Sequence, residues 1–142
     1  MRITWLGIVV LAVVAACARQ PDAEAIRNTI IAMAAAAEAR EGADLLDHVT
    51  ADFTGNAGEF GRAELANLLR AQLIANSVGV RLGQVDVEMS GERATARFDA
   101  TLTDSSGRWI AARSAEMHFV TGWRREDGTW RCYNASWSRD QD

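Results

Sequence analysis

Lysine is missing from the 142 residues, so all 15 basic side chains are arginines. That absence excludes Schiff-base chemistry and the ammonium group of a phosphate-binding P-loop. Positive charge is not in excess either. Nineteen acidic residues give a formal charge of -4 and a pI near 5.2. The electrostatic footprint of a nucleic-acid binder is therefore lacking, and no nucleic-acid partner is expected. Two histidines and two cysteines, at distant positions, make no zinc set, and no metal or cofactor is expected. The one proline, Pro21, and the one tyrosine, Tyr133, are equally sparse. What is present is a chain 49% hydrophobic and 24% charged, long enough for one domain with a single core.

Its first residues read as an address. Arg2 precedes an apolar run from Ile3 to Ala16 that ends in small residues, and the run stops short of the roughly 20 residues a membrane span needs. Val14-Ala15-Ala16-Cys17 resembles the lipobox of bacterial lipoproteins. The resemblance implies a signal peptide over 1–16, acylation of Cys17 by diacylglyceryl and palmitate-type chains, and a lipidated tether over 17–21. It further implies a membrane partner and a place in the bacterial cell envelope. Ala18 suggests the periplasmic face of the outer membrane. Two or three acyl chains at about 0.8 kcal/mol per buried methylene hold where one would not. An acylated Cys17 leaves Cys132 without a disulfide partner, and the expectation for Cys132 is a buried core thiol.

Residues 22–142 read as one domain. Ile26, Ile30, Met33 and Ala37 share one helical face behind a capping Asp22, and Gly42 is a stop signal. Ala43 to His48 read as a second short helix and Arg62 to Asn76 as a third, with Leu65, Leu68, Leu69 and Leu73 turned inward. Phe53 and Thr54 suggest a short extended piece between them. Beyond Gly79 the period becomes two: Val85, Val87 and Met89, then Ala94, Ala96, Phe98, Ala100 and Leu102. Turn signals at Ser90-Gly91-Glu92 and Glu126-Asp127-Gly128 imply antiparallel neighbours. A third strand from Arg108 to about Arg124 would be roughly 55 Å long if straight, which requires strong curvature or a bulge.

Three helices followed by a four-stranded curved meander, with a tryptophan shortly after the last turn (Glu126-Asp127-Gly128-Thr129-Trp130), resemble the NTF2-like superfamily, also called SnoaL-like or cystatin-like. The resemblance implies an α+β fold, three N-terminal helices packed on a strongly curved four-stranded antiparallel sheet that encloses a cone. It implies little about function, because the superfamily includes isomerases, dehydratases, transport factors and lipoproteins without known activity.

On the third strand Trp109, Ala111, Arg113, Ala115, Met117, Phe119, Thr121 and Trp123 form the more apolar face. If this face lines the cone, Arg113 is either a pocket cation or half of a buried ion pair with an acid such as Asp52 or Glu38. On the last strand Trp130, Cys132, Asn134 and Ser136 alternate with Arg131, Tyr133, Ala135 and Trp137. The resemblance makes Asn134 and Ser136 pocket candidates beside Arg113, Met117 and Trp109, in places where active relatives frequently carry histidine. Asp44, His48 and Asp52 lie four residues apart, a pattern more typical of solvated contacts than of a base or metal site. An isomerase-type mechanism needs a carboxylate base, for which Asp52 and Asp99 are the candidates. It also needs an oxyanion donor, and the sequence names none. The reading that follows is a lipid-anchored, non-catalytic binder of a small apolar or anionic molecule or of a protein partner. The alternative is a SnoaL-like isomerase or dehydratase. Pairing of two copies through the outer sheet face around Arg97, Asp99, Glu116 and His118 is a further expectation.

Overall fold

The computed structural model of the chain describes residues 19–75, 78–104 and 116–139. The leader, Cys17, Trp109, Arg113 and the first half of the expected long strand lie outside the described residues.

Three helices, α1 (Arg19–Glu38), α2 (Gly42–Leu46) and α3 (Arg62–Ala75), accompany seven strands. These are β1 (Val49–Gly55), β2 (Phe60–Gly61), β3 (Val78–Leu82), β4 (Asp86–Ser90), β5 (Arg93–Asp104), β6 (Glu116–Glu126) and β7 (Thr129–Arg139). They form one curled sheet in the order β2-β1-β7-β6-β5-β3, with β4 also on β5. The expected four-stranded meander is thus part of a larger sheet. The four expected strands are β4 to β7; β1 contains the short extended piece expected at Phe53 and Thr54, and β2 and β3 are added. The sheet is not purely antiparallel either, since β1 runs parallel to β7. β1 and β3 escape a period-two reading for a physical reason. β1 buries Val49 and Thr50 in succession where its register on β7 slips, and four of the five residues of β3 are half-buried irrespective of face.

The hairpins obey their turn residues. Asp127 and Gly128 both take positive φ between the paired Glu126 and Thr129, as a type I′ turn requires. Gly91 supplies the positive φ between Ser90 and Arg93.

α1 lies across the sheet's concave face and is pinned along its length. Near its start, Asp22 accepts from Trp130 Nε1 at 3.3 Å and pairs with Arg125 at 2.7 Å. In its middle, Arg27 Nε donates to the Val85 carbonyl at 3.1 Å. Near its end, Glu38 accepts the Val80 N–H at 3.0 Å, blunting the β3 edge against strand addition. Ile26 and Ile30, read from the sequence as the inward face, are buried against Trp123, Trp130, Cys132, Val49, Phe53, Ala94 and Ala96. Each such side chain contributes about 1.5–3 kcal/mol on burial. α3 opens with one half of a capping box, in which Glu64 accepts the Gly61 N–H at 3.1 Å, and the helix packs against β1 and β2.

Candidate functional site

The concave face is read from the strand register, because directly opposed residues share a face. Three rows matter. Met89, Ala94, Trp123 and Cys132 form the first, and Val87, Ala96, Thr121 and Ala135 the second. Phe98, Phe119 and Trp137 form the third, which Phe60 extends from β2 with its ring centroid 5.4 Å from that of Trp137.

The first row is sealed over Ala94, Trp123 and Cys132, with Met89 half-buried at its end. Trp123 is 1% exposed, and Cys132, at 3%, has its thiol pushed up to about 12 by burial, so it is no thiolate nucleophile. The second row is polar only at Thr121, whose hydroxyl is already used. It donates to the Ala96 carbonyl at 2.9 Å and accepts from Trp123 Nε1 at 2.8 Å. The third row is different in kind. Phe98, Phe119, Trp137 and Phe60 are all half-buried, and the Phe98 and Phe119 rings stack at 5.1 Å with an interplanar angle of 11°. They make an aromatic row that keeps accessible surface. Met117 continues it, half-buried, opposite Ala100 on one side and Arg139 on the other. Arg139 is exposed, so a guanidinium stands at the rim of an otherwise apolar wall.

The backbone makes room for this wall. A Cβ on Gly55 would lie 2.8 Å from Trp137 Cη2, so only glycine lets the indole rest on β1. Asn56, with φ 47, fixes the same strand by accepting the Trp137 N–H at 2.9 Å.

A bulge decides which residues reach the cone. Gly122 opposes Asn134 but Trp123 opposes Cys132, so Tyr133 is an extra residue on β7. Before it, Trp130 and Cys132 point inward; after it, Ala135 and Trp137 do, and Asn134 and Ser136 are exposed on the convex face. The sequence alternation carried Asn134 and Ser136 inward with Cys132, and the bulge reverses them. On β6 no such reversal occurs over the described stretch: Met117, Phe119, Thr121 and Trp123 share the concave side as expected.

The two candidate bases also lie outside. Asp52 is exposed and bound bidentately by Arg124, at 3.0 and 2.7 Å, while Arg124 also holds Glu126. The guanidinium holds the Asp52 carboxyl well below the usual range, to about 2. Asp99 is exposed on the convex side of β5, where its carboxylate bonds His118 Nδ1. Neither carboxylate faces the aromatic wall. Asp44 and His48 part company with Asp52, lining instead a shallow depression of about 560 Å³ between α1 and α2, floored by Ala35, Ala36 and Ala39. There Asp44 raises the carboxyl pKa of Glu41 through a shared hydrogen bond. Among the described residues no group of three or more His, Cys, Asp or Glu is arranged to hold a metal ion.

Sequence reasoning missed Phe60, Trp137 and Arg139. Trp137 fell to the wrong face for want of the bulge, and Arg139 was not considered. Gly122, whose Cβ would lie 3.0 Å from Tyr133 Cζ, was the residue that marks it.

A family model for the SnoaL-like domain matches residues 18–134. No curated protein matches. Among solved structures, an NTF2-like protein with a cystatin-like fold from Novosphingobium aromaticivorans is 25% identical, with a TM-score of 0.75 over 94% of this chain and 92% of that one. A candidate scytalone dehydratase from the same organism is 13% identical, with a TM-score of 0.72 and 86% of each chain covered. A candidate dehydratase of the NTF2-like family from Streptomyces avermitilis is 16% identical, with a TM-score of 0.73 over 87% of this chain and 99% of that one. The chain therefore belongs to the SnoaL-like family and carries its NTF2-like fold.

Proposed function

We propose that the cone is a non-catalytic cup for a small molecule with an aromatic or apolar body and an anionic end, on a protein anchored to the bacterial envelope through acylated Cys17. The observation that carries the reading is the half-buried row Phe98, Phe119, Trp137 and Phe60, with Arg139 at its rim and both candidate carboxylates on the opposite side of the sheet. Aromatic walls orient planar rings by offset stacking, worth about 0.5–1.5 kcal/mol per pair beyond the area buried. A rim arginine recognises a carboxylate without demanding that it be buried.

The test is a titration of the full chain with 2-naphthoate and with naphthalene, followed by tryptophan fluorescence. Both are expected to bind, and Trp137→Ala to weaken both at least tenfold. Arg139→Ala should weaken only the naphthoate, while Asp52→Asn and Asp99→Asn leave affinity unchanged. Failure of both probes to bind would overturn the cup. The anchor is tested separately, by incorporation of labelled palmitate in a bacterial host that disappears in Cys17→Ser.

The dehydratase reading draws its support from the names of two structural relatives. It would need a base other than Asp52 or Asp99, since turnover through either would require the substrate to sit on the convex face.

A further inference from the structure

The start of α1 and two hairpin turns occupy the same end of the sheet. Arg93 on β5 is paired with Arg124 on β6, and the Arg125 N–H donates to the Glu92 carbonyl at 3.2 Å. The β4–β5 turn and the β6–β7 turn therefore stand side by side. α1 begins beside them, since Asp22 accepts from Trp130 Nε1 and pairs with Arg125, whose guanidinium carbon lies 5.1 Å from the centre of the Trp130 ring. The bonds of Arg27 to Val85 and of Glu38 to Val80 keep the helix from swinging about this knot. Its first turn holds a fixed place on the domain. The open end of the cup is elsewhere: Met117 lies nine residues along β6 from Glu126, roughly 30 Å of strand, and Arg139 ten along β7 from Thr129.

The acylation site proposed above, Cys17, precedes Arg19, where α1 begins, by two residues. Two residues of chain span at most about 7 Å. Three more along the helix rise about 4.5 Å, so Asp22 is held within roughly 12 Å of the lipid attachment point.

We propose that the turn end of the domain, residues 90–93 and 126–129, rests on the bilayer surface and that the cup opens away from it, into water. The orientation rests on the acylation of Cys17 and not on what fills the cup. Charge leaves the choice to the tether. Arg93, Arg124, Arg125 and Arg131 at this end are offset by Asp22, Asp52, Glu92, Glu126 and Asp127. A surface so balanced fits zwitterionic lipid and gains little from anionic lipid. The competing arrangement lays the domain on the outer side of α1, where Ile31 is 55% exposed. There the depression between α1 and α2 is lined by Glu41, Asp44 and Asp47, and carrying three carboxylates into a headgroup layer costs their hydration. With the turns on the bilayer, an occupant reaches the cup from the aqueous side instead of passing laterally out of the lipid.

The test uses the full chain, acylated in a bacterial host and reconstituted into phosphatidylcholine nanodiscs that contain lipids with a nitroxide on the headgroup. A maleimide fluorophore is attached in turn at Glu92→Cys, Thr129→Cys, Ile31→Cys and Glu116→Cys, all exposed positions; the native Cys132 thiol is buried and takes no label. Quenching at Glu92→Cys and Thr129→Cys is expected to exceed that at Ile31→Cys and Glu116→Cys at least threefold, and to stay so when phosphatidylglycerol is added. Strongest quenching at Ile31→Cys would lay α1 on the bilayer, strongest quenching at Glu116→Cys would turn the cup toward it, and equal quenching at all four would leave the domain unoriented. Each of these overturns the proposal while the anchor stands. A parent chain that does not co-purify with the discs would overturn the anchor and the orientation together.

Discussion

The two ends of the concave face are built from the same residue types and behave differently. At the Trp123 end an indole, two isoleucines of α1 and a run of alanines interlock until almost nothing is accessible, and the polar atoms satisfy one another. At the Phe119 end equally large rings stack on one another and stay half-open. The difference lies in what covers them. α1 crosses the first end directly, while α3 packs on β1 and β2 beside the second. Composition alone does not distinguish a sealed core from a half-open aromatic row; the placement of one helix does.

The contrast is sharpest for stability. Trp123→Ala should cost about 3–5 kcal/mol, because it leaves a cavity in a site that cannot collapse. Phe119→Ala should cost less than half as much, since the ring is already partly hydrated. Urea denaturation of both variants checks this, and equal losses would erase the distinction. Gly55→Ala probes the boundary. Its methyl must push the Trp137 indole aside, an overpacking cost of about 1–3 kcal/mol. It should also shift near-ultraviolet dichroism and weaken 2-naphthoate, while the Trp123 end keeps its signal. Glu38→Ala removes a partner of the β3 edge, about 1 kcal/mol, and should raise aggregation, measured by light scattering, more than a stability loss of that size explains.

The smallest effect is electrostatic. Because Arg124 depresses the Asp52 carboxyl to about 2, the stability this pair contributes is complete above the ordinary carboxylate range near 3.9. It is lost as pH falls toward 2. Asp52→Asn should therefore leave the acid limb of the unfolding curve flatter between those values, and added salt should shrink the wild-type effect.

The helices were legible in the sequence because their signals are local. Ile26, Ile30 and Met33 mark a face without knowledge of what covers it, and Asp127-Gly128 marks a turn without knowledge of its strands. The alternation of Ala94, Ala96 and Ala100 likewise gave β5. What could not be read was set by non-local pairing. β1 joins β7 in parallel across some 80 residues, and its irregular register hides any period. Asn134 and Ser136 were assigned inward by counting in twos, a rule that fails wherever one strand holds a residue more than its neighbour. Asp52 offered no sign in the sequence that Arg124, 72 residues on, would claim it.

The extra residue at Tyr133 has a consequence for anyone who edits or aligns this strand. Its deletion would leave the faces where they are, because Asn134 would then follow Cys132 in plain alternation opposite Gly122. Drawing Tyr133 into the ladder with nothing deleted would instead turn the strand's second half inside out, delivering an amide and a hydroxyl to the interior and expelling an indole into water. One unpaired residue thus acts as a parity bit for the inner face, and a related chain with as many residues in this strand but no bulge would present a chemically different interior on the same scaffold.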